Sequence, residues 1–133
     1  MSISFRSLNN STPEEIRHCF NESFKDYFIP FQLNTDQLKN KIATEAIDLS
    51  LSFGAFDNNL LVGFILNGID TIDGINTAYN AGTGLLPEHR GRGLSFSLYE
   101  FCIDGLRNAG IKKSVLEVFQ QNAPAIKTYQ KAG

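Results

Sequence analysis

The chain opens with alternating positions, Ile3-Ser4-Phe5-Arg6-Ser7-Leu8, and this period of two predicts a first strand. Asn9-Asn10-Ser11 reads as a turn. Thr12-Pro13-Glu14-Glu15 then supplies an N-cap, a proline at the first helical position and a glutamate three residues after the cap. Ile16, Cys19, Phe20, Ser23 and Phe24 follow at helical spacing, and Ile29-Pro30 ends that helix or its extension. Asn34-Thr35-Asp36 starts a second helix carrying Leu38, Ile42 and Ala46. Leu49 to Phe56 predicts a strand, Asp57-Asn58-Asn59 a turn, and Leu60 to Ile69 the returning strand of a hairpin. After a turn over Asp70 to Gly74, Ile75 to Leu86 reads as a longer strand. Its two internal glycines, Gly82 and Gly84, suggest a bulge or a close backbone approach. A helix from Leu94 to about Ala109 follows, with an apolar stripe of Leu94, Leu98, Phe101, Cys102 and Leu106, and Gly110 stops it. Ser114 to Phe119 predicts a strand. Asn122 caps a last short helix with Pro124 in its first turn and Gly133 at its end. The order β-α-α-β-β-β-α-β-α describes an α/β domain with a mixed sheet flanked by helices.

Composition narrows this picture. A chain of 133 residues forms one domain, here residues 1–133, with a substantial core. No run of eighteen apolar residues occurs, and the N-terminus lacks a basic-then-apolar signal, so a cytoplasmic protein away from membranes is expected. Cys19 and Cys102 both fall in helical patterns and read as small buried residues, not as a disulfide framework or metal site. The net charge of −2 argues against nucleic acid as the main partner. Basic residues nevertheless lead after Gly84, which suits a polyanionic ligand, and acidic residues lead before it.

The segment with most chemistry is Leu85-Leu86-Pro87-Glu88-His89-Arg90-Gly91-Arg92-Gly93-Leu94-Ser95. A strand ends, a basic glycine-broken turn follows, and a helix begins. Such a turn aims backbone N–H groups at one point, and the helix dipole adds positive potential there, so the site suits a phosphate or pyrophosphate. Gly91 and Gly93 let a ligand approach the backbone. Arg90 and Arg92 add charge, and His89 is expected to face solvent. The pattern GxxxxGK followed by Ser or Thr is absent, and the third glycine of a dinucleotide fingerprint is missing.

The segment resembles the acetyl-CoA pyrophosphate loop of the GNAT superfamily of N-acetyltransferases, Arg/Gln-x-x-Gly-x-Gly/Ala. Arg90, Gly93 and Ser95 occupy its three specified positions, with Ser95 in place of Gly or Ala. The run from Leu116-Glu117-Val118 through Asn122, Ala125-Ile126 and Tyr129-Gln130-Lys131-Ala132-Gly133 is similar to the family's later block. There Thr128 replaces the usual Leu, and the chain stops before the usual Phe. The resemblance is specific from Tyr79 to Gly133 and architectural before that. It implies a GNAT fold whose last two strands are missing, so the chain is expected to be truncated at the C-terminus. Were the chain instead complete, the strand Ser114–Phe119 would be left with a bare edge that favours association, such as a homodimer.

The resemblance also implies site residues. Leu85 and Leu86 would pair with the pantetheine arm. Arg90, Gly91, Arg92, Gly93, Leu94 and Ser95 would hold the pyrophosphate, with Asn122 along the arm. Tyr129 would be the general acid for the departing thiolate and Glu117 the general base, with Glu22, Tyr79 and Asn80 in reserve. From the residues alone, Asn122 could equally be only a helix cap, Tyr129 a packing residue and Glu117 a strand carboxylate paired with Lys112 or Lys113; His18 reads as structural. The implied activity is transfer of the acetyl group of acetyl-CoA to a primary amine by direct attack, with no metal. The acceptor would be a peptide or a small-molecule amine. The alternative is a non-catalytic acyl-CoA-binding module, or one half of a tandem GNAT protein.

Overall fold

The computed structural model describes residues 2–25 and 32–115. Five strands form one sheet in sequence order: β1 (Ile3–Ser7), β2 (Phe53–Asp57), β3 (Leu60–Ile72), β4 (Ile75–Leu85) and β5 (Lys113–Val115). The first four pair antiparallel, and β5 joins β4 in parallel through the crossover helix α3 (Leu94–Asn108). The helices α1 (Pro13–Ser23) and α2 (Thr35–Thr44) lie between β1 and β2 in the chain.

Both early helices begin as their sequences predict. The Thr12 hydroxyl accepts from Glu15 N–H while the Glu15 side chain accepts from Thr12 N–H, and Asn34 and Gln37 repeat the arrangement on α2. Each reciprocal cap satisfies N–H groups that have no partner inside the helix.

The two sheet faces are covered by different helices. Along β3 the side chains alternate, so Phe64 and Asn67 point opposite ways. Phe64 stacks on Phe20 of α1 with ring centroids 5.6 Å apart, whereas the Asn67 amide reaches Cys102 Sγ of α3 at 3.3 Å. Burial on both faces explains why β3 reads as the near-continuous apolar run Leu61 to Leu66, without the alternation of β1.

Three boundaries and one residue of the α3 stripe differ from the sequence expectation. The strand expected from Leu49 starts only at Phe53, because Leu49–Leu51 forms a 3-10 turn. Asp48 causes this: its carboxylate accepts from Ser50 N–H at 2.9 Å, and Ser52 Oγ donates to the Asp48 carbonyl at 2.8 Å. Ala46 is not on α2, which ends at Thr44; its φ of 52° turns the chain toward β2. The turn expected over Asp70 to Gly74 shrinks to Asp73-Gly74, with φ of 52° and 77°, and the freed residues extend the β3–β4 ribbon to the pair Ile72–Ile75. On α3, Leu98, Cys102 and Leu106 are buried as expected, but Phe101 lies at the helix border, 37% exposed, against Phe5 and Phe53. The last expected helix, from Asn122, lies outside the described residues.

Candidate active site

The site is built where β4 ends. Opposite Leu66 and Asn67 of β3, β4 carries one extra residue, Ala81, so the strand is bulged there. Asn80 holds the bulge: its Oδ1 accepts from Gly82 N–H at 2.8 Å and its Nδ2 donates to Thr83 Oγ1 at 2.5 Å. Gly84 is required by space. A Cβ there would lie 2.7 Å from the Phe64 ring and 2.8 Å from Ser23 Cβ. The glycine pattern in this strand thus marks both features expected of it, a bulge beside Gly82 and a close approach at Gly84.

At the strand end the main chain divides Leu85 from Leu86. Both are buried. Leu86 N–H donates to Val62 O of β3 at 2.8 Å. Neighbouring residues of an extended strand present their N–H groups to opposite sides, so Leu85 N–H and C=O face away from β3. The Leu85 carbonyl accepts from Arg90 Nε at 3.0 Å. On that same side, parallel pairing to β5 among the described residues runs from Thr77 to Tyr79 and lies well short of Leu85.

A 3-10 turn, Pro87–His89, leads into the glycine loop. His89 is buried with its Nε2 3.2 Å from Asp57 Oδ2, contrary to the expectation that it faces solvent. Pro87 starts the turn that swings this ring inward, and no periodicity in a loop reports such a rotation. Asp57 is held below its usual carboxylate range, first by its bond with His89 and then by the Ser2 N–H. Arg90 also donates from Nη2 to the Ser23 carbonyl at 2.6 Å, so its guanidinium braces the loop against the C-terminal end of α1.

Gly91 and Gly93 have φ of 78° and 75°, a region costly for residues with a Cβ. Among the described residues, chain neighbours apart, no heavy atom lies within 4 Å of where a Cβ would stand at either position, so they leave the loop surface open. Gly93 is the N-cap residue of α3 and brings no side chain of its own to cap this helix. The contrast with α1 and α2, both capped reciprocally, is chemical. The start of α3 keeps the partial positive charge of its first turn beside an open surface, the arrangement that receives an anionic group. Leu94 and Ser95 stand half-buried in that first turn, and Arg92 is exposed. These residues therefore fit a pyrophosphate-bearing ligand.

The reserve candidates have other partners. The Tyr79 hydroxyl donates to the Glu45 carbonyl, the Asn80 amide holds the bulge, and Glu22 pairs with Lys25 at 3.1 Å on the exposed side of α1. His18 is exposed on α1. Burial pushes the Cys19 thiol up to about 12 and that of Cys102 to about 11, so neither is a ready nucleophile. Glu117, Asn122 and Tyr129 lie outside the described residues.

Comparison with known proteins places this geometry. A model of the Acetyltransferase (GNAT) family matches residues 12–133. The chain belongs to the GNAT acetyltransferase family. N-alpha-acetyltransferase 30 of Schizosaccharomyces pombe is 30% identical over 83 residues, 62% of this chain and 55% of that protein. The chain thus spans about half the length of this relative. Among solved structures, the NatC complex bound to Gag peptide and CoA superposes with a TM-score of 0.78 at 20% identity, covering 100% of this chain and 84% of that one. The ribosomal-protein-S18-alanine N-acetyltransferase of Escherichia coli gives 0.76 at 21% identity, covering 99% and 77%. These likenesses establish the mixed α/β GNAT fold.

Proposed function

We propose that the protein transfers the acetyl group of acetyl-CoA to a primary amine by direct attack. The observation that carries this reading is the side-chain-free start of α3 behind two left-handed glycines, set at the end of a bulged strand. The loop N–H groups from Gly91 to Ser95 and the first turn of α3 receive the pyrophosphate, with Arg92 adding charge. The Leu85 N–H and C=O face the side on which a pantetheine amide can pair, and Leu86 contributes packing because its N–H is already bonded to Val62. Arg90 acts through its brace to Leu85 and Ser23 as well as through its charge.

Chemistry follows from the second motif. Glu117 takes the proton that the amine loses as the carbon–nitrogen bond forms. Tyr129 donates its hydroxyl hydrogen to the sulfur as the carbon–sulfur bond breaks, and Asn122 serves to bind the cofactor arm. A peptide N-terminus is the favoured acceptor, on the strength of the N-alpha-acetyltransferase relative. The reading extends to one domain over residues 1–133 of a cytoplasmic protein, with a homodimer as its assembly. Among the described residues no helix is long and apolar enough to cross a membrane.

The test is release of free CoA thiol by the full protein with acetyl-CoA and a panel of amines: peptides with free N-termini, lysine, a polyamine and small amines. Acceptor-dependent release that is fastest with peptides supports the reading. Tight acetyl-CoA binding without release on any acceptor would replace it with the non-catalytic acyl-CoA-binding module.

A further inference from the structure

The glycine loop is anchored at its entry by a second contact, separate from the Arg90 brace. His89 closes the turn Pro87–His89 with its ring buried, the residue 9% exposed. Its Nε2 lies 3.2 Å from Asp57 Oδ2. Asp57 is the last residue of β2, paired with Leu60 across the Asn58-Asn59 turn. Its other oxygen accepts from Ser2 N–H at 3.2 Å, and Asn58 N–H donates to the Ser2 carbonyl at 3.1 Å. The carboxylate is therefore fixed by the β2–β3 hairpin and by the N-terminal segment together.

The other ring nitrogen, Nδ1, is buried and has no hydrogen-bond partner among the described residues. A buried polar atom left so loses its hydration without compensation, a cost that a leucine filling the same space would avoid. Packing therefore does not explain a histidine here. The Asp57 contact does, because it needs a donor at the position of Nε2. With Nε2 carrying the hydrogen, a tautomer assigned from its partner, Nδ1 is left as a bare lone pair, which burial tolerates better than an unpaired N–H.

We propose that His89 is a positioning residue, whose Nε2–H bond to Asp57 fixes the turn before Gly91 and so sets where the loop amides and the start of α3 point. This rests on the reading of that loop as the acetyl-CoA pyrophosphate site. Asp57 is its partner and touches neither substrate.

The experiment compares His89→Leu, which keeps the volume and loses the donor, with His89→Gln, whose amide nitrogen stands in for Nε2. Three readouts are taken: acetyl-CoA Kd by calorimetry, the separate values of KM and kcat, and amide exchange of residues 90–94. His89→Leu should raise Kd and KM by about tenfold, leave kcat within about twofold and speed loop exchange, because it weakens ground-state and transition-state binding alike. His89→Gln should recover most of the affinity and the slow exchange. Folded His89→Leu protein with wild-type Kd and wild-type loop exchange would overturn the proposal, as would His89→Gln behaving no better than His89→Leu. Should His89→Leu fail to fold, Asp57→Ala takes its place with the same expected losses, and unchanged values again overturn the proposal. If wild-type protein does not bind acetyl-CoA, the proposed function fails on its own. Loop exchange in the variants then decides whether His89 anchors the loop, and unaltered exchange rejects it.

Discussion

At the scale of single residues, function and burial divide cleanly among groups that look alike in the sequence. Both cysteines of the chain sit in the core with raised thiol pKa values. Native protein should therefore resist a thiol reagent near neutral pH and release both thiols on unfolding; rapid titration of either in the native state would contradict the burial. In the proposed mechanism the chemistry instead falls to a hydroxyl. Tyr129→Phe keeps the ring and removes the proposed acid, so kcat and kcat/KM should fall together by roughly 10²-fold or more while acetyl-CoA affinity barely moves. A cost confined to KM would make Tyr129 a binding residue. The glycine-broken turn ahead of α3 was legible because Gly91 and Gly93 announce it locally. The inward turn of His89, the brace made by Arg90 and the clamp made by Asn80 were not. Each depends on a partner distant in the chain, Asp57, Ser23 or the bulge geometry, that no local pattern announces.

At the scale of elements, legibility followed the range of the interactions. Helix starts were readable because Thr12 with Glu15 and Asn34 with Gln37 act over three residues. The strand start at Phe53 was misplaced because Asp48 and Ser52 side chains compete with the ladder for the backbone, which an apolar pattern does not encode. Packing between elements also reverses a local rule. Gly105 lies inside α3, where alanine would ordinarily favour the helix by about 1 kcal/mol. A Cβ at Gly105 would stand 2.5 Å from the buried Phe53 ring of β2, and overpacking of this kind costs about 1–3 kcal/mol. Gly105→Ala should therefore lower the denaturation midpoint. A rise would mean that Phe53 yields and that α3 packs on β2 less tightly than the contact implies.

At the scale of the whole molecule, the sheet order, the two helical layers and the loop belong to one arrangement. β3 and β4 carry the bulge and the close approach at Gly84, α1 and the β2–β3 hairpin each hold one residue of the loop entry, and α3 presents its start there. This coupling has a pH signature. Asp57 has a lowered pKa in the folded state, so its contribution to stability is complete above the ordinary carboxylate range and is lost as pH falls through its lowered value. Asp57→Asn should flatten that part of the stability curve measured by denaturant titration across the acid range; an unchanged curve would show that the Asp57 contacts add nothing. The central claim is that the open start of α3 receives acetyl-CoA, and calorimetric titration of the full protein tests it most directly, with wild type and Gly93→Asp side by side. Wild type should bind one acetyl-CoA per chain. Gly93→Asp, which puts a negative charge beside the proposed pyrophosphate, should lose that binding while its circular dichroism stays native. Equal binding by the two proteins, or none by folded wild type, would contradict the account.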